Sequence, residues 1–448
     1  MLARALSWLV LLLVTQLAEA TEPYASTYSV RSHADTLVVN VSVLTGTGEQ
    51  LNGVDVLVSE GRIAAVGSDL SGDPAMRIDG SGKWLTPGVI DVHSHLGAYP
   101  SPVLSSTRDG NEMTDPNTAN VWVEHSVWPQ DPQFGLALAG GVTTMQILPG
   151  SANLFGGRGV TLKNVPSRTV GGMKYPGAPQ SLKMACGENP KRIYGEQSKA
   201  PATRMGNVAG YRAAWAKARA YRDQQQAFDS GKSDKAPDRD LRLDTLVKVL
   251  EGEILVHNHC YRADEMATMI EVAKEFDYKI TAFHHAVESY KIADLLAEAG
   301  ICSAMWADWW GFKLEAFDGI PQNIALVDQA SACAIVHSDS AEGIQRLNQE
   351  AAKAMTAARR VGMSVSAAQA MVWITQNAAN ALGIGEATGS IEVGKAADLV
   401  IWDRHPFSVY ARAEKVFIDG YLYYDRLDPT RQPARDFDLD QTVSEEAR

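Results

Sequence analysis

Over residues 36–79 the chain is written in short apolar runs that alternate with Gly, Asn and Asp: TLVVNVSVLTGTG, VDVLVSEG, RIAAVG. Alternation of period two, broken by turn residues, predicts a β-meander with hairpins. From residue 85 to about 382 the rhythm changes. Apolar runs are now separated by stretches such as ADEMATMIEVAKEF and YKIADLLAEA, whose apolar positions fall three and four apart. That spacing predicts amphipathic helices. The runs between them are GVIDVHSH, VTTMQIL, GVTLK, SLKMAC, EILVHNH, KITAFHH, GICSAM and CAIVHSD. Eight strands alternating with helices predict an α/β fold, a parallel sheet closed into a (β/α)8 TIM barrel. From residue 389 the chain is β-like again (GSIEVGKAADLVIWD, KVFIDGYLYY), and from residue 426 it turns polar and charged.

Two stretches fall outside this rhythm. Residues 187–240 form an insertion between the fourth and fifth strands, in which AGYRAAWAKARAYRDQQQAF reads as a helix and DSGKSDKAPDRD as a solvated loop. The first twenty residues read as an address. Arg4 supplies a positive charge, residues 5–14 are apolar except for Ser7, and Ala18-Glu19-Ala20 offers a small-x-small cleavage site. The apolar run is short of the roughly 20 residues that span a bilayer. The expectation is a signal peptide over 1–20, cleaved after Ala20, with export to the periplasm or beyond and no membrane span left in the mature chain.

Composition adds exclusions. The 448 residues are 45% hydrophobic and 21% charged, which rules out wholesale disorder. Lys+Arg of 41 against Asp+Glu of 53 gives net −12 and argues against nucleic acid or an anionic membrane as partner. Cys186, Cys260, Cys302 and Cys333 each lie in or just after a strand-like run and are expected as isolated buried thiols; a Cys302–Cys333 bridge stays open if those strands are neighbours.

The histidines carry the chemistry. His93, His95, His257, His259, His284, His285 and His337 fall at the C-terminal ends of predicted strands, the ends that line the mouth of a parallel barrel. Because side chains alternate along a strand, His93 and His95 point the same way and can share one ion.

LTPGVIDVHSHLG (85–97) resembles the first-strand signature of the amidohydrolase superfamily of metal-dependent hydrolases. GSIEVGKAADLVIWD (389–403) resembles the segment with which such chains return to their small β-domain. The resemblance covers nearly all of the mature chain and is strongest to the imidazolonepropionase-like and Xaa-Pro-dipeptidase-like branch. It implies a barrel over 85–388 and a small composite β-sandwich made of 36–84 and 389–425, with 426–448 as a polar tail.

Carried over residue by residue, the resemblance implies metal ligands His93 and His95 on the first strand, His257 on the fifth and His285 on the sixth. His259 is then a substrate contact, and His284 alternates to the opposite face and packs in the barrel wall. Asp339, in CAIVHSDS, matches the eighth-strand aspartate that both touches metal and takes the water proton; His337 points the same way, toward substrate. Many relatives bridge two ions with a carboxylated lysine on the fourth strand, and some use a glutamate. In SLKMACGENPKR the shared spacing puts Leu182, not Lys183, in the lysine's place, so Glu188 is the expected ligand with Lys183 as the alternative. One ion or two stays open.

Imidazole and carboxylate donors suit zinc, with iron or manganese as the alternatives. Such an ion brings a bound water to a pKa of roughly 7 and polarises a carbonyl. The Gly-rich run PGSANLFGGRG (149–159) can hold an anionic group, with Arg158 pairing a substrate carboxylate. Trp306, Trp309 and Trp310 follow the seventh strand, as an apolar wall or as packing.

The expected activity is hydrolysis of an amide-type C–N bond in a small molecule: a dipeptide, an N-acyl amino acid or a cyclic amide. A heterocycle deaminase is the alternative, weakened because Cys260 and Arg262, not glutamate, stand three residues after His257 and His259. A barrel subunit without its own activity, acting with a related subunit or as a homo-oligomer, is the third reading.

Overall fold

The computed structural model describes residues 24–72 and 74–433. The expected signal peptide and the tail from 434 lie outside the described residues. Among the described residues no helix is long and apolar enough to cross a membrane.

The first sheet draws strands from both ends of the chain. β1 (Thr36–Leu44), β2 (Gln50–Ser59), β3 (Arg62–Gly67), β4 (Met76–Asp79) and β5 (Trp84–Pro87) come early. After the barrel come β14 (Leu399–Trp402), β15 (Ala413–Ile418) and β16 (Tyr421–Asp425). The order is β16-β15-β14-β5-β1-β2-β3, with β4 added along β1. Valines 38, 41, 43, 56 and 58 pack there with Leu85, Leu399, Ile401 and Phe417 in one apolar cluster. The central strand β5 runs parallel to β1 and antiparallel to β14, Trp84 facing Trp402. Only Gly88 separates β5 from the first barrel strand. A Cβ there would lie 2.0 Å from Thr143 Oγ1, so only glycine lets the chain pass.

The second sheet holds β6 (Val89–Ser94), β7 (Val142–Ile147), β8 (Phe155–Lys163), β9 (Ser181–Ala185), β10 (Leu255–His259), β11 (Ala282–His284), β12 (Cys302–Met305) and β13 (Cys333–Val336), neighbouring in chain order. It curls into a nearly closed barrel. At the seam the Asp339 N–H donates to the His93 carbonyl at 3.1 Å. The fold is thus a mixed α/β one, a barrel beside a β-rich unit.

The repeat departs from a regular (β/α)8 at one place. β8 runs antiparallel to both β7 and β9. Only residues 148–154 connect β7 to β8, and a parallel crossover needs a dozen residues or more. A hairpin is what the chain length permits.

The helix Ala263–Phe276 follows β10 and buries Met266, Met269, Ile270, Ala273 and Phe276, the stripe its spacing calls for. In the insertion a helix covers Arg204–Asp229, longer at its start than the apolar pattern alone indicates, because Thr203 caps it. Thr203 Oγ1 accepts from the Gly206 N–H at 3.0 Å. The helix is anchored by Trp215, fully buried between Phe155 and Tyr278 at ring separations of 5.4 and 4.4 Å. Thr203→Ala is expected to lower stability by about 1 kcal/mol, read as a shift in the urea midpoint with unchanged slope.

The cysteines are not isolated thiols. Cys186 pairs with Cys260 and Cys302 with Cys333, leaving no free cysteine among the described residues. Parallel register is the reason. Cys302 stands directly opposite Cys333, and Cys186 and Cys260 each follow the opposed residues Ala185 and His259.

Candidate metal centre

The centre begins at the end of β6. Asp91 and His93 share a face, and His95 continues it just beyond the strand. Asp91 is fully buried and accepts from the His93 N–H (3.1 Å), the Ser338 N–H (3.3 Å) and the Ser338 hydroxyl. It ties β6 to the segment that carries Asp339. Burial raises its carboxyl to about 7, against the pull of those hydrogen bonds.

His95 Nδ1 meets the Leu148 carbonyl at 2.8 Å. A carbonyl only accepts, so Nδ1 carries a proton, which leaves Nε2 as the atom able to bind a cation. That Nε2 lies 3.2 Å from Asp339 Oδ1, and His93 Nε2 lies 3.6 Å from the same oxygen. Asp339 reaches over them because its backbone is left-handed (φ 50°), a conformation Asp tolerates better than most residues. His285 Nε2 approaches the other oxygen at 3.8 Å.

His284 and His285 both turn inward, which corrects the expectation that His284 faces away. β11 ends at His284, and His285 takes φ 57°. A left-handed residue breaks the alternation of an extended strand, so consecutive side chains reach the same interior. His284 links two rings: its Nδ1 lies 2.8 Å from His93 Nδ1, its Nε2 2.8 Å from His257 Nδ1. His257, expected as a ligand, meets His284 through Nδ1, and its Nε2 is buried without a hydrogen bond. His337 Nε2 accepts from the His285 N–H at 3.3 Å.

Among the described residues two sets of donor atoms lie within 4.8 Å of one another: His93, His95 and Asp339, and His93, His285 and His337. Both contain His93. His337, expected to touch substrate, falls in the second set. Burial holds the imidazoles of His93, His284 and His285 well below their ordinary range, and those of His257 and His337 at about 3 and about 4. They are neutral at neutral pH, the form in which imidazole binds a cation. His285 Nδ1 and His337 Nδ1 are buried without a hydrogen bond. Neutral imidazoles beside a carboxylate, with one tautomer fixed from behind, fit a divalent ion of the zinc type.

The structure does not bring Glu188 to this cluster. It opens the helix Glu188–Gly195 at the rim, where Oε1 pairs with Lys313 Nζ at 3.1 Å. Lys183 is at the centre instead, fully buried, Nζ 3.4 Å from His93 Nε2. Register explains it: Lys183 stands opposite His257 on β10 and so shares its inward face, while the neighbouring Leu182 points out. Burial brings the Lys183 ammonium down to about 7.

Arg158 is also elsewhere. On the antiparallel β8 it stands opposite Leu182 and shares its outward face. There Nε donates to Thr245 Oγ1 at 2.9 Å and the guanidinium lies 4.3 Å from the Trp122 ring. His259 remains at the mouth, Nε2 3.3 Å from Asn189 Nδ2 and its ring 4.8 Å from that of His285. Trp306 stacks on His285 at 4.3 Å; Trp309 and Trp310 are 43% and 51% exposed. Three contributors escaped sequence reasoning: Ser338, the Leu148 carbonyl and the inward His284. Only Ser338 carried a signal, as the residue between His337 and Asp339.

The Amidohydrolase family model matches residues 221–422. Amidohydrolase tasK of Hapsidospora irregularis is 33% identical over 396 residues, which take in 83% of this chain and 40% of that protein. The chain thus spans less than half the length of that relative. An imidazolonepropionase of Mesorhizobium japonicum is 23% identical over 353 residues, 75% of this chain and 81% of that protein. The crystal structure of an amidohydrolase from Thermotoga maritima MSB8 is 36% identical, with TM-score 0.81 over 87% of this chain and 100% of that one. Matching that whole chain in sequence and in fold, and carrying the first-strand histidine pair at the mouth of its barrel, the protein belongs to the amidohydrolase family.

Proposed function

We propose that the protein is an exported, metal-dependent hydrolase that cleaves an amide-type C–N bond in a small substrate. One observation carries this reading: His93 Nε2, His95 Nε2 and Asp339 Oδ1 converge, with the His95 tautomer fixed by the Leu148 carbonyl. The printed names of the relatives, amidohydrolase and imidazolonepropionase, support the same reaction class.

In this reading His93, His95 and Asp339 hold a divalent ion, zinc by its donor chemistry. His285 and His337 would complete the same site, since His93 Nδ1 is engaged with His284 and only its Nε2 is left to bind. Lys183 takes the central place that the spacing assigned to Glu188, and His257 steadies His93 through His284. When bound, the ion supplies Lewis-acid polarisation of a carbonyl and an acidified water. Asp339 accepts the proton of the attacking water and returns it to the leaving nitrogen, so acyl–nitrogen cleavage balances without another acid. Trp306 and the His259–Asn189 pair border the space where substrate enters. Two disulfides support export, since such bonds persist in oxidising compartments.

Metal analysis of the purified protein, followed by a panel of dipeptides, N-acyl amino acids and cyclic ureides, tests the proposal. At least one equivalent of zinc-type metal, and release of an amine or ring-opened acid, is the expected result. Less than about half an equivalent, with no activity on adding zinc, overturns it; ammonia released without acyl cleavage moves the reading to a deaminase.

A further inference from the structure

The rim beside His259 and His285 extends from Trp306 into an aromatic face and a cation, Lys313, that the chemistry above does not use. Trp306 is held by its indole N–H, which donates to the Ser338 carbonyl at 3.1 Å. Trp309 stacks on it at 5.4 Å, and Phe312 meets both Trp306 and Tyr261 edge-on at 5.6 and 6.4 Å. Exposure climbs along this wall from 8% at Trp306 to 56% at Phe312. It is a continuous aromatic face running from a candidate ligand out to water.

A cation is set into the same face. Lys313 Nζ lies 4.1 Å from the centre of the Tyr261 ring, 3.1 Å from Glu188 Oε1 and 3.2 Å from Asn189 Oδ1. The amide nitrogen of Asn189 reaches Ser151 Oγ at 2.8 Å and His259 Nε2 at 3.3 Å. Two side chains, Asn189 and His259, therefore stand between the ammonium and the candidate ligand His285. The Glu188 partner does not make this an inert strut. Both side chains keep some exposure, 20% for Lys313 and 27% for Glu188, so water screens the pair in part. A ligand carboxylate shielded from water by the aromatic wall can displace Glu188, which keeps 27% of its side chain exposed at the rim and can turn to water.

We propose that Lys313, with the Trp306–Trp309–Phe312 face, forms a subsite for an aromatic or large aliphatic residue that bears a free carboxylate. The substrate class is then an N-acyl or peptidyl derivative of such an amino acid, its carboxylate on Lys313, its side chain on the wall and its amide carbonyl toward His93, His95 and Asp339. This rests on the hydrolase reading for the position of the amide, but the subsite is tested by binding alone.

Tryptophan fluorescence titrations of the metal-loaded protein with N-acetyl-L-phenylalanine and with its C-terminal carboxamide provide the test. The acid is expected to bind on the order of tenfold more tightly than the carboxamide, a difference of one charge-assisted contact. In Lys313→Met that ratio falls to about one while the carboxamide affinity stays the same, which also reports an intact fold; Lys313→Arg restores the preference. Equal affinities in the unaltered protein, no binding of either probe, or a preference that survives in Lys313→Met (a carboxylate sitting on the metal instead) each overturn the subsite. Acid preference without any hydrolysis keeps the subsite and removes the hydrolase reading. Hydrolysis without acid preference does the reverse.

Discussion

Asp339→Asn is expected to lower kcat by a factor on the order of 10² to 10⁴, the range that a positioned general base contributes. The amide has the shape of the carboxylate but cannot take a proton from water. It leaves the fold alone for two reasons visible at the seam. Asn tolerates the left-handed backbone at this position (φ 50°) as Asp does, and the bond from this residue's N–H to the His93 carbonyl belongs to the main chain. Because Asp339 also faces His93 and His95 Nε2, metal content must be measured with turnover. A variant that holds metal under excess zinc yet turns over slowly carries the proton-transfer role; a variant restored to full rate by zinc alone would make Asp339 a ligand and nothing more.

Replacing both Cys186 and Cys260 by Ser is expected to lower unfolding stability by about 4 kcal/mol, the chain-entropy value for a loop of this length, the two cysteines being 74 positions apart. The loop contains the entire insertion, including the helix Arg204–Asp229, so its closure entropy is borne by a long stretch of chain. The bridge also joins the ends of β9 and β10, one residue past Ala185 and His259. Loss of stability should thus come with weaker metal retention, as Lys183 and His257 share those strands. Urea midpoints and zinc release rates for the unaltered and double-Ser proteins check both; an unchanged midpoint would show that strand pairing alone holds these ends together.

The pattern along the chain was enough for much of the architecture and not for its directions. Each of the eight apolar runs is a strand, because burial on both faces of a barrel strand leaves a run that can be read without its neighbours. The direction of β8 depends on the length of a connection, seven residues between 148 and 154, which binary patterning does not weigh. Side-chain direction failed where alternation failed. His284 was assigned outward by counting two along a strand, and the left-handed His285 removes the premise. The same kind of error separated Leu182 from Lys183: family spacing favoured one and the β9–β10 register points the other inward. The cysteine pairs needed register too, since proximity across a sheet is written in two distant segments at once. Arg158 belongs to the connecting run 149–159 by composition, but β8 already begins at Phe155, and the register opposite Leu182 puts the guanidinium in the outer layer with Thr245 and Trp122.

The β7–β8 hairpin has a consequence for how such a barrel can change its substrates. Its loop sits on the ligand side of the barrel and supplies, through the Leu148 carbonyl, the fixed point behind His95. Leu148 is tied back to β6 as well, its N–H donating to the Ser94 carbonyl at 3.0 Å, so any change at this end of the loop acts on the oxygen that holds the imidazole. New specificity is therefore cheapest to acquire elsewhere on the rim, in the long segment after β9 and the aromatic segment after β12, whose residues meet at Lys313 and Glu188. One side of the mouth is bound to the chemistry and the other is free to diversify.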